Sequence, residues 1–106
     1  MNAPLTEVIA AFRARLEPIY GSRLRKLVLY GSRARGEAKF DSDIDIMIVL
    51  TGPIDRWKEV ERTGAATSEI DMQYGVDISR AFATEEDFLR STYSFLQNVR
   101  EEGVAV

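Results

Sequence analysis

The 106-residue sequence contains neither cysteine nor histidine, and the two absences remove much of the usual catalytic repertoire. Without cysteine there is no disulfide, no thiolate zinc site and no sulfur nucleophile, and a reducing cytoplasm is the expected compartment. Without histidine there is no Ser-His-Asp triad, no His-Glu-x-x-His zinc site and no imidazole base. Carboxylates, hydroxyls, backbone amides, lysine and arginine must carry any chemistry. The metals such groups hold are hard ones, chiefly magnesium or manganese. A strong charge of one sign is also missing: 14 basic and 17 acidic residues are interspersed for a formal net charge of -3. That balance excludes the footprint of a duplex nucleic-acid binder but is compatible with a nucleotide. No apolar run approaches the roughly 18 residues of a membrane span, and the start Met-Asn-Ala-Pro-Leu-Thr-Glu lacks the features of a signal peptide. A soluble cytoplasmic protein is expected, one domain over residues 1–106, burying about two-thirds of its unfolded surface.

The patterning predicts an α/β chain in the α+β sense, a small mixed β-sheet flanked by helices. Leu5, Val8, Ile9, Phe12, Leu16 and Ile19 recur at helical spacing, with Pro18 near the helix end and Gly21 as its stop. The tripeptide Gly21-Ser22-Arg23 therefore reads as a turn. Leu24 to Tyr30 is an apolar run with the look of a strand covered on both faces. In Asp43 to Leu50 a period of two sends Ile44, Ile46, Ile48 and Leu50 to one face and Asp43, Asp45, Met47 and Val49 to the other. A second long helix is expected over about Ile54 to Met72, with Trp57, Val60, Ala65 and Ile70 apolar and Gly64 a candidate interruption. Val76-Asp77-Ile78 predicts a third strand. Thr84 predicts the cap of a last helix carrying Phe88, Leu89, Phe95, Leu96 and Val99, ended by Gly103, and Val104 to Val106 an edge strand.

The chemistry concentrates in LVLYGSRARGEAKFDSDIDIMIVL, residues 27–50. Asp43 and Asp45 stand two apart on one side of a strand, their Cα atoms roughly 6.5 to 7 Å apart. Carboxylates so placed repel each other, and a shared divalent cation relieves the repulsion. One strand earlier, Gly31-Ser32 enters a short helical turn with Ser32 as its natural N-cap, where unpaired amides and the helix dipole favour an anion. A phosphate cradle ending one strand and a metal pair opening the next are the two halves of a site for a nucleoside triphosphate with its magnesium.

Gly31-Ser32-Arg33-Ala34-Arg35-Gly36 followed, past residues 37–42, by Asp43-Ile44-Asp45 resembles the signature of the minimal nucleotidyltransferases of the DNA polymerase beta superfamily. The resemblance spans nearly the whole chain and takes in the ending Phe95 to Val104. It implies a triphosphate held by Gly31 and Ser32 and magnesium held by Asp43 and Asp45. Members of this family are often antitoxins paired with a HEPN-domain toxin, and some transfer AMP from ATP to a tyrosine of that partner. The resemblance thus implies ATP as substrate, a two-metal site and a hetero-oligomer with such a toxin. The alternative it leaves open is a catalytically weak antitoxin that binds nucleotide and neutralises its partner by occlusion alone.

The family pattern also asks for a third acid, flanked by apolar residues on a strand beside the pair, to bind the second metal or take the proton. Asp71, Asp77 and Asp87 are candidates. Asp71 falls near a helix end and Asp87 in a helix first turn, so Asp77, between Val76 and Ile78, is the choice. Arg33 and Arg35 are candidate phosphate clamps, and equally of a kind found solvated on short surface helices. Trp57, Tyr74, Phe82, Tyr93 and Phe95 exceed what one small core readily hides, which predicts an aromatic partner surface.

Overall fold

The computed structural model describes residues 3–36 and 43–106. The spacer of the nucleotidyltransferase-like motif, residues 37–42, lies outside the described residues. The first helix, α1 (Leu5–Tyr20), buries Val8, Ile9, Phe12, Leu16 and Tyr20 on one face. Tyr20 thus closes the stripe where Ile19 was expected, and Ile19 stays 37% exposed. The substitution has a polar cause: the Tyr20 hydroxyl donates to buried Glu59 at 2.9 Å, a partner that an isoleucine cannot use. Gly21 ends α1, and Gly21–Arg23 form a single 3-10 turn, as the breaker signal predicts.

Four strands make the sheet, in the order β3-β2-β1-β4. β1 (Leu24–Tyr30) and β2 (Ile44–Leu50) are antiparallel at its centre, with Leu27 opposite Ile48 and Tyr30 opposite Asp45. β3 (Ile78–Thr84) lies parallel to β2, with Ile44 beside Ile78, and β4 (Val104–Ala105) adds antiparallel to β1. The alternation predicted for β2 holds. Ile44, Ile46, Ile48 and Leu50 face the larger core against α1, whereas Met47 and Val49 join Val28, Ala83, Phe88 and Val99 on the opposite face.

β3 begins two residues later than expected and runs further, taking in Ser79, Arg80 and Ala81. Its polar residues belong to an edge strand, where one side of the ribbon has no strand neighbour and burial no longer selects for apolarity. Asp77 therefore sits immediately before the strand, exposed, while its carbonyl already accepts from Ile44 N at 2.9 Å.

α3 (Arg56–Tyr74) crosses from β2 to β3, is capped by Asp55, and passes Gly64 without interruption. Its buried residues are Glu59, Thr63, Thr67 and Ile70, a helical stripe written mainly in polar residues, while Trp57 stands 79% exposed. Burial is tolerable because each polar group is partnered. Thr63 and Thr67 hydroxyls donate to the carbonyls of Glu59 and Thr63 at 2.8 and 2.7 Å, and Glu59 accepts from Tyr20, Arg62 and the Asp55 amide.

The expected last helix is two helices, α4 (Glu85–Arg90) and α5 (Ser94–Glu102), separated at Ser91–Tyr93. Thr84 caps α4 as predicted, its hydroxyl accepting from Asp87 N at 3.0 Å. The break is held by Arg100, which donates to the carbonyls of Phe88 and Ser91 at 2.7 and 3.2 Å. One guanidinium thereby takes up the acceptors that a helix end leaves over. With the chain turned there, Phe88 of α4 and Val99 of α5 both reach the second core.

Candidate active site

Two strand ends meet at the site. β1 runs into Gly31, whose φ of 73° and ψ of -157° belong to backbone that L residues avoid. A Cβ on Gly31 would also fall onto the Asp45 carboxylate. Glycine is thus required twice at one position, by conformation and by contact. The Gly31 carbonyl then accepts from Ala34 N and Arg35 N at 3.1 and 3.2 Å and starts α2 (Ser32–Arg35). Gly31, not Ser32, occupies the N-cap position, because the chain bends one residue earlier than the composition suggests. Ser32 is the first helical residue, and its hydroxyl has no hydrogen bond among the described residues.

Asp45 points to the same side of the sheet as Tyr30, half-buried, and Asp43 is exposed at the entrance to β2. Burial first, then the charge of Asp43, pushes the Asp45 carboxyl above the ordinary carboxylate range, with Arg35 acting the other way. Paired, partly desolvated carboxylates of this kind suit a hard cation, whose charge removes both penalties at once. The chemistry of this donor set, two carboxylates, fits magnesium, and Asp43 and Asp45 are the residues that could hold it. Arg35 reaches Glu102 of α5 at 3.5 Å, so α2 is tied to the C-terminal helix, and Arg33 lies half-buried beside it on α2.

Tyr30 was not singled out from the sequence. Its phenol is pushed up by burial and then by the charge of Asp45, and its ring meets the edge of Phe95 at 5.7 Å between centroids. Its only sequence signal is adjacency to Gly31; the opposition to Asp45 comes from strand register.

Asp77 precedes Ile78, the residue paired with Ile44 in the parallel register, and its charge acts on Asp71. Asp71 lies at the end of α3, as predicted, and its carboxylate accepts from Ile78 N at 3.0 Å. Burial raises the Asp71 carboxyl, the Ile78 amide opposes this, and Asp77 raises it further. Among the described residues no three carboxylates stand close enough to hold one metal ion. Asp87 remains in the first turn of α4. Among the described residues no helix is long and apolar enough to cross a membrane.

Comparison with known proteins matches residues 18–99 to the family described as Polymerase beta, Nucleotidyltransferase. A Methanocaldococcus jannaschii protein with the provisional name protein adenylyltransferase is 36% identical over 98 residues, which is 92% of each chain. The fold is similar to a chain of a toxin–antitoxin structure with AMP-PNP, at TM-score 0.61 and 17% identity over 89% of this chain and 68% of that one. It is similar also to a chain of a Shewanella oneidensis complex of tri-AMPylated HEPN toxin with MNT antitoxin, at TM-score 0.54 and 19% identity over 94% and 66% of the two chains.

Proposed function

The chain belongs to the polymerase beta nucleotidyltransferase family, and from that premise we propose that it transfers AMP from ATP, with magnesium, to a tyrosine hydroxyl of a HEPN-domain toxin and so acts as its antitoxin. The observation that carries this reading is the packing of Gly31 directly against Asp45, which joins a phosphate-approach turn to a carboxylate pair. The adenylyltransferase name of the Methanocaldococcus relative and the AMPylated toxin of the Shewanella complex support the choice of acceptor. Cytoplasmic residence and a hetero-oligomer belong to the same reading.

In the reaction, the acceptor oxygen forms a bond to the α-phosphorus, the bond from that phosphorus to the bridging oxygen breaks, and pyrophosphate leaves. Magnesium, when bound, supplies charge neutralisation for the phosphates and lowers the pKa of the attacking hydroxyl. Asp43 and Asp45 would hold it. Gly31 lets the backbone approach a phosphate, and Ser32 donates its hydroxyl there. Arg33 and Arg35 extend the positive charge along the phosphates. Asp77 would take the hydroxyl proton or help hold a second magnesium.

That no three carboxylates of the described residues come together favours a second reading, an antitoxin that binds nucleotide but transfers it poorly. Incubation with labelled ATP, magnesium and the product of the gene adjacent to this chain's, which this reading takes to be the HEPN toxin, decides between them. Label on a tyrosine of the toxin is expected. A stable, unlabelled complex that still blocks the toxin overturns transfer in favour of occlusion. Asp77→Asn is expected to remove most of the rate and Asp71→Asn to leave it largely intact; the reverse result assigns the third acid to Asp71.

A further inference from the structure

Along the open edge of β3, a cleft of about 580 Å³ lies between the start of α3 and the α4–α5 region, lined by Arg56, Phe82, Asp87, Tyr93 and Phe95. A second hollow of about 190 Å³ shares Arg56, Phe82 and Phe95 and continues along the same edge to Arg80. Phe95 is also the residue that meets Tyr30, opposite Asp45, so the groove abuts the wall of the carboxylate site. Tyr93 is 79% exposed and Phe95 51%, an unusual outlay of aromatic surface for so small a domain.

The charges of the groove are of both signs and are uncommitted. Arg56 and Asp87 have no side-chain hydrogen bond or ion pair among the described residues. Arg80, by contrast, is occupied, donating to the Val60 carbonyl and to Thr63. A triphosphate would meet the Asp87 carboxylate and be repelled. A peptide with an apolar or aromatic side chain between an acidic and a basic residue satisfies every part: Arg56 takes the acid, Asp87 the base, and the aromatic walls the ring.

We propose that this groove is the docking site for a segment of the acceptor protein, one apolar or aromatic residue flanked by opposite charges, which holds the partner while its hydroxyl reaches the carboxylate pair. The inference rests on the adenylyl-transfer reading for what the partner is, but its test does not require transfer to occur. Arg56→Glu and Tyr93→Ala change exposed groups outside the carboxylate site and are expected to leave the fold intact, checked by thermal melting.

The probes are the purified product of the adjacent gene, which the proposed function takes to be the HEPN protein, and ATP, each titrated separately by calorimetry. Each variant is expected to weaken binding of the HEPN protein, and to raise its KM as acceptor, by about tenfold or more, as interface tyrosines and arginines commonly do. ATP affinity is expected to be unchanged. Wild-type affinity for the HEPN protein in both variants overturns the proposal, as does failure of the unaltered protein to bind it. Loss of ATP affinity in the variants reassigns the groove to nucleotide. If the unaltered protein binds its neighbour without labelling it, adenylyl transfer fails, while the variants' binding still decides for or against the groove.

Discussion

Gly-Ser-Arg occurs at residues 21–23 and again at 31–33, and the same three side chains do different work in the two places. Gly21 ends α1 at φ 55°, its amide donating to the Glu17 carbonyl, and nothing lies within 4 Å of where its Cβ would be. Arg23 of that copy donates to the carbonyls of Thr51 and Pro53, bracing the loop after β2. Gly31 adopts a similarly restricted backbone, but there the missing Cβ makes room for the Asp45 carboxylate, and the chain enters a helix instead of leaving one. Local sequence decides that both glycines turn. The neighbour across the sheet decides which turn is a site.

The sharpest way to break this comparison is to remove the neighbour. Asp45→Asn is expected to abolish magnesium-dependent transfer, and Asp43→Asn to do the same, measured with labelled ATP. Neither change should lower the melting temperature of the metal-free protein. For Asp45 the folded state raises the carboxyl pKa, so the ionised form is disfavoured by folding. Its contribution to stability is complete below the unfolded value of about 4 and is lost as pH rises through the folded value. At neutral pH the asparagine variant is therefore expected to be at least as stable, and near-normal transfer by it would sink the two-carboxylate site.

The glycines can be compared directly. Gly21→Ala and Gly31→Ala should each cost about 1 to 3 kcal/mol of folding stability, the penalty of a backbone conformation nearly confined to glycine. Gly31→Ala alone should also displace Asp45 and lose magnesium and ATP binding, whereas the Gly21 variant should bind both normally. Equal ligand binding by the two variants in calorimetry would erase the distinction drawn between the copies.

The serines give a smaller effect. Ser32→Ala should weaken ATP binding by about 1.5 to 3 kcal/mol, the loss of one hydrogen bond to a charged group, and Ser22→Ala should leave it unchanged. Smallest is Gly64→Ala in α3, where a new Cβ meets nothing within 4 Å and the helix loses an entropic liability. A gain of about 0.5 to 1 kcal/mol is expected in denaturant unfolding, with no change in activity.

The sequence by itself determined the elements whose burial is written in apolar residues at a regular period. α1, β1 and β2 follow from such patterns, and the alternation in β2 also set Asp45 on the side opposite Ile44, Ile46 and Ile48 before any fold was known. The composition did as much by subtraction, since a chain without histidine or cysteine is left chiefly with oxygen donors for a metal. Tertiary structure decided what that period does not encode. The buried stripe of α3 is Glu59, Thr63 and Thr67, legible only once Tyr20 and the helix carbonyls are there to satisfy it. The division of α4 from α5 depends on Arg100 reaching back to Phe88 and Ser91, and the length of β3 on parallel pairing at an edge. Tyr30 beside Asp45 and Asp77 beside Asp71 arise in the same way, from strand register and a helix end brought together across the chain. Side-chain period is a property of one segment, but partners for buried polar groups and neighbours for charges exist only between segments, and folding alone supplies them.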